Sequence, residues 1–163
     1  MKSLLASLLI GSALIATPAY AADQLHIQDP WVRAAPPAAP ALGGYMTLHN
    51  PDSKEKKIVG ASSPLFSKVE IHETVQQDGK SQMRPKPQLA IAPGAQVKMA
   101  PGGLHIMLIG PKKSLQPKDS VPLTLKFADG SEQSLSAEVR AGSGVKAGNQ
   151  KEMEKESHDH HHH

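Results

Sequence analysis

The stretch PLTLKFADGSEQSLSAEVR, residues 122–140, decides the fold. Leu123, Leu125 and Phe127 alternate with other residues before Asp129-Gly130, and Leu135, Ala137 and Val139 alternate after it. Apolar side chains at every second position put one face of a strand on a core. An Asp-Gly pair between two such runs is a hairpin signal. The stretch therefore predicts two antiparallel strands with one buried face. Outward from it, further short runs occur as LHIQ at Leu25, WVRAA at Trp31, GYMTLHN at Gly44, KKIVGAS at Lys56, KVEIHETV at Lys68, QVKM at Gln96 and LHIMLI at Leu104. Pro, Gly, Asn and Asp separate them, and residues 24–141 show neither sustained helical periodicity nor an internal repeat. Evenly spaced short strands predict one all-β domain, a sandwich or a barrel. Residues 34–42, AAPPAAPAL, hold three prolines and are expected as a loop or a sheet edge.

The ends read differently. Residues 1–21 combine a basic start at Lys2, an apolar stretch over residues 4–16 and small residues Ala19 and Ala21, the parts of a secretory signal. The apolar stretch falls short of the ~20 residues that span a bilayer. Cleavage after Ala21 is expected, giving an exported, periplasmic chain with no membrane span. Residues 22–141 then form the β domain. Residues 142–163, GSGVKAGNQKEMEKESHDHHHH, are too poor in apolar residues to offset the entropy of ordering and are expected to be a disordered tail containing Met and His.

Composition excludes several functions. The formal charge of +3 falls by one when Lys2 is removed, and no basic block or interleaved aromatic stripe supports nucleic-acid binding. The chain has no cysteine, which removes thiol catalysis, thiolate metal sites and the blue-copper centre. His72-Glu73 begins like the H-E-x-x-H of zinc proteases, but the fifth position is Gln76 and the context is a strand. No G-x-S-x-G elbow is present. A binding protein is expected rather than an enzyme.

Soft-metal chemistry is left to Met and His. In GGLHIMLIG, residues 102–110, Leu104, Ile106 and Leu108 share one strand face, and His105 and Met107 share the other. In KVEIHET, Val69 and Ile71 oppose Lys68, Glu70 and His72 in the same way. Met83 follows a Gln77-Asp78-Gly79 turn signal that folds its segment back toward His72, so the four residues are expected together at one end of a sandwich. Two imidazoles and two thioethers suit Cu(I), whereas Mg²⁺ and Ca²⁺ want oxygen and Zn²⁺ favours thiolate, imidazole or carboxylate. The set is neutral, so binding should be exchangeable. Methionine is also a common core filler, the role expected of Met46 and Met99, and histidine a common surface residue. Spacing alone leaves both readings of the four residues open.

The pattern His72, ten residues, Met83, twenty-one residues, His105-x-Met107 resembles the signature of the PCuAC family, periplasmic copper chaperones of cytochrome oxidase assembly. GGYMTLHN at Gly43, KVEIHET at Lys68, MRP at Met83 and PGGLHIMLIG at Pro101 look like that family's blocks. The likeness covers most of residues 24–141. One variable position departs, with Glu73 where some members carry Met. The resemblance implies a cupredoxin-like Greek-key β-sandwich or barrel and Cu(I) held by His72, Met83, His105 and Met107. It also implies a monomer that delivers copper to the apo-copper subunit of cytochrome oxidase, with a thioredoxin-like copper assembly protein as co-worker. A copper buffer for tolerance would use the same ligands, and a purely structural adaptor would bind no copper. The terminal run reads as native or as an affinity tag. Four consecutive histidines rather than six, on a chain that keeps its leader, favour native origin. His158, His160, His161, His162 and His163 would then supply imidazoles for Cu(II).

Overall fold

Ten strands and no helix make up the described residues, 24–142, of the computed structural model. They are β1 (His26–Arg33), β2 (Ala41–His49), β3 (Lys56–Ser62), β4 (Phe66–Gln77), β5 (Lys80–Pro85), β6 (Leu89–Ile91), β7 (Gln96–Met99), β8 (Leu104–Pro111), β9 (Ser120–Phe127) and β10 (Glu132–Arg140). Hydrogen bonding runs β4-β8-β2-β1-β10-β9-β3, and β3 pairs back onto β4 at Ala61 and Val69, closing a seven-stranded barrel. Closure removes the free edges that an open sheet would expose. The remaining strands are additions: β5 on β4, β6 on β3 and β7 on β2. This is the all-β, cupredoxin-like fold expected from the sequence.

The hairpin that predicts the fold is β9–β10, with Leu123 opposite Leu135 and Val121 opposite Ala137. Val32, Leu48, Ile58, Leu108, Val121 and Leu125 are at most 1 % exposed and fill the barrel. Each buried aliphatic side chain contributes roughly 1.5–3 kcal/mol. Met46 and Met99 belong to this core, facing one another across β2 and β7. Gln133 is one of the few polar side chains buried with them. Its amide accepts from the Leu25 amide at 2.9 Å and donates to the Leu25 carbonyl at 2.8 Å, so burial leaves it satisfied.

Three local expectations change. LHIQ and WVRAA are one strand, β1, whose register shifts between Gln28 and Trp31, where Asp29 takes φ 48° and Pro30 has no amide hydrogen to donate. The proline-rich segment is a loop only as far as Pro40, and β2 starts at Ala41. β6 is a strand without a sequence signal, because three residues after Pro85 and Pro87 are too few to show alternation; Leu89 and Ile91 nonetheless plug the barrel. The expected signal peptide and the His-rich tail lie outside the described residues.

Candidate metal centre

The long strand β4 and its neighbour β8 run antiparallel, with His72 directly opposite His105, Glu70 opposite Met107 and Ile71 opposite Ile106. Val69, Ile71, Ile106 and Leu108 turn into the core, which sends His72, His105 and Met107 to the outer face of the same wall. The site is thus on the outer face of the barrel wall, at the start of β8 beside the 101–103 turn. The two imidazole centroids stand 6.0 Å apart at 52°. Met83 arrives from β5. Asp78 and Gly79 both adopt positive φ, 52° and 72°, as a type I′ turn requires, and this register places Met83 opposite Thr74. Thr74 lies two residues from His72 on the same face, so Met83 sits diagonally beside the histidine pair. Met83, His105 and Met107 line one groove with Tyr45, Thr74 and Arg33. All of β5 is exposed, and Met83 is 59 % exposed, whereas His105 is only 4 % exposed.

Each imidazole is oriented by one hydrogen bond that leaves its other nitrogen with a free lone pair. Glu70 Oε2 accepts from His72 Nε2 at 3.0 Å, and the Gly103 carbonyl accepts from His105 Nδ1 at 2.9 Å. His72 Nδ1 and His105 Nε2 are buried and have no hydrogen-bond partner among the described residues. Buried polar atoms are normally satisfied, so two unpartnered nitrogens on adjacent rings form a pair of lone-pair donors suited to an electrophile. Histidines held this way by a carboxylate and a backbone carbonyl are the usual arrangement around metal ligands. Among the described residues no group of three His, Cys, Asp or Glu side chains is placed to hold a metal; the further sulfur donors beside this pair are Met83 and Met107.

The supports are built locally. Residues 101–103 turn tightly, with the Gly103 amide donating to Ala100 and the Ala100 amide to Leu104. The Gly103 carbonyl also accepts from Thr74, which clamps it between the strands. Lys68 Nζ lies 2.6 Å from Glu70 Oε1; this ion pair, followed by the hydrogen bond from His72, holds the Glu70 carboxyl below its ordinary pKa. Tyr45 covers the groove. Its ring stands 6.5 Å from that of His105 and 4.5 Å from Trp31, with the Arg33 guanidinium 5.8 Å from its centroid. A Cβ at Gly43 would fall 2.5 Å from the Tyr45 hydroxyl, so only glycine lets the ring lie across β2 there. Alternation marked Glu70 as facing with His72, but nothing in the sequence paired Tyr45 with His105.

A seven-stranded barrel with two histidines and two methionines gathered on one outer face is the class of β domain that the chain presents. The sequence pattern described as "Putative lipoprotein LpqE-like" matches residues 25–139, and the chain belongs to this LpqE-like family. It is 36 % identical over 130 residues to "Putative lipoprotein Lxx21020" of Leifsonia xyli subsp. xyli, covering 79 % of this chain and 77 % of that one. Among solved structures it is similar to the copper-bound PCuAC domain from PmoF2, with TM-score 0.63, 26 % identity and coverage of 76 % of this chain and 97 % of that domain. It is also similar to the CuI form of DR1885 from Deinococcus radiodurans, with TM-score 0.58, 30 % identity and coverage of 78 % and 81 %.

Proposed function

We propose that this chain is an exported copper carrier that takes Cu(I) at His72 Nδ1, Met83 Sδ, His105 Nε2 and Met107 Sδ. The pair of buried, unpartnered imidazole nitrogens carries this reading, and the copper-bound state of two similar structures supports it. Two thioethers select the soft monovalent ion. No ligand is anionic, so the ion's charge is offset only through Glu70, one hydrogen bond away, and affinity stays moderate enough for exchange. The exposed Met83 is the ligand a recipient protein can displace first. Delivery then proceeds by ligand exchange to the apo-copper subunit of cytochrome oxidase, with a thioredoxin-like assembly protein as co-worker. The lipoprotein name of the relative supports export, and the periplasm is the proposed compartment. The histidines of residues 158–163 add a Cu(II)-binding tail.

The test is anaerobic titration of Cu(I) against a competing chelator. Met83→Leu and Met107→Leu nearly conserve volume and should cost under about 1.5 kcal/mol in packing, yet each removes a sulfur donor and should weaken Cu(I) binding at least tenfold. Parental affinity in both variants would place the site elsewhere. Deletion of the gene separates delivery from storage: loss of oxidase activity under copper limitation supports delivery, and sensitivity to excess copper alone supports buffering.

A further inference from the structure

A second pair of imidazoles lies on the barrel wall, well away from the first. His26 and His49 are direct partners across the antiparallel β1–β2 ladder, with ring centroids 5.6 Å apart and planes at 50°. Leu25 and Ile27 on one strand and Leu48 on the other pack with the core, so both histidines face outward. His26 is exposed and His49 half-buried, and no hydrogen bond to either ring occurs among the described residues. On the far side of His49, β7 places Gln96 opposite it, and the inward Val97 and Met99 put Gln96 on the same outer face. His26, His49 and Gln96 therefore form a row across three strands.

We infer that His26 and His49 form a separate chelating site for a divalent cation of the Cu(II) or Zn(II) kind, with the Gln96 carbonyl and water completing the shell. Two imidazoles bound to one ion at about 2.0–2.1 Å per nitrogen bring their centroids to roughly 5–6.5 Å, and the observed separation lies in that window without any movement of the backbone. The donor set is nitrogen and oxygen with no sulfur, which favours a borderline divalent ion over Cu(I) and, among such ions, Cu(II). Tyr45, which covers His105, is four residues along β2 from His49, roughly 13 Å at ~3.3 Å per residue, and this stretch of strand separates the two sites. They are too distant to share one ion. The face thus offers one position for the reduced metal and one for a divalent ion.

The experiment uses the full-length mature chain, uniformly labelled with nitrogen-15, and substoichiometric Cu(II) chloride as the probe. Paramagnetic broadening should remove the amide signals of Ile27, Gln28, Thr47 and Leu48 early in the titration. His49→Gln and the double variant His26→Gln/His49→Gln should need at least tenfold more Cu(II) to reach the same loss, with the dispersed spectrum certifying that the barrel is intact. Broadening of signals from residues 158–163 is read separately and should be the same in parent and variants. Parental spectra in which these four amides survive would overturn the inference. So would equal broadening of them in the double variant, which would assign the effect to the tail.

Discussion

Replacing Glu70 by glutamine isolates the part of the centre that binds no metal. The carboxylate accepts from His72 Nε2 and so fixes the ring with Nδ1 as its remaining donor atom. Loss of such an outer partner typically costs 10–100-fold in metal affinity. The side chain of Glu70 is 29 % exposed, and Lys68 at 2.6 Å already neutralises part of its charge. Solvent screening and this shared charge place the expected loss near the lower end, about tenfold, or ~1.4 kcal/mol. The effect on the metal-free fold should be smaller, because exposed ion pairs contribute at most about 1 kcal/mol. Glu70 is held below its ordinary value of 4.5, so its contribution to stability is present above that pH and lost as pH falls through the lower, folded-state value. The assay is a chelator competition with Cu(I) at pH 7.5, paired with thermal unfolding of the metal-free protein. Unchanged affinity in Glu70→Gln and Glu70→Ala alike would refute the claim that the carboxylate supports His72 as a ligand.

Acidification should lower Cu(I) affinity, approaching about a hundredfold per pH unit once both ligand imidazoles take up protons; His105→Met should reduce that slope toward tenfold, and a flat profile between pH 7.5 and pH 5 would remove both rings from the site. Gly43→Ala places a Cβ 2.5 Å from the Tyr45 hydroxyl and 3.0 Å from the ring carbon that bears it, which should displace the ring at a cost of about 1–3 kcal/mol. Trp31, 4.5 Å from Tyr45, reports the displacement through its emission, and an unaltered spectrum would contradict it. Ile106 is 1 % exposed between the two candidate ligand positions of β8, so Ile106→Ala should destabilise the barrel by about 2–5 kcal/mol in denaturant unfolding. Truncation after Gly142 should leave Cu(I) affinity unchanged while removing most Cu(II) uptake, measured by titration of each ion.

Period-two alternation made most of the barrel legible, because a buried face imposes it wherever a strand is long enough. It separated His105 and Met107 from Ile106 and Leu108, and the Asp78-Gly79 pair placed the Met83 strand. It could not say which strands become neighbours. The parallel pairing of β1 with β10 and the antiparallel pairings of β2 with β8 and β3 with β9 join segments remote in sequence, with no local signal at any of them. For the same reason His105 reads as an outward residue yet is buried: its cover, Tyr45, belongs to a strand some sixty positions earlier and reaches it through the β2–β8 pairing. The His26–His49 pair escaped notice likewise, since each histidine alone is an ordinary surface residue.

The unequal anchoring of the candidate ligands has a kinetic consequence. His72, His105 and Met107 stand on strands whose inward residues belong to the barrel core, so freeing them requires disrupting the cooperative unit itself. Met83 stands on β5, every residue of which is exposed, and which is tied only to the end of β4. Such a hairpin frays without global unfolding. Amide hydrogens of β5 should therefore exchange orders of magnitude faster than those of the β4–β8 ladder. The opening rate of the arm, rather than the strength of the whole coordination sphere, would then limit how fast a bound ion escapes, and substitutions in the Asp78-Gly79 turn could change residence time while leaving the barrel's melting temperature in place.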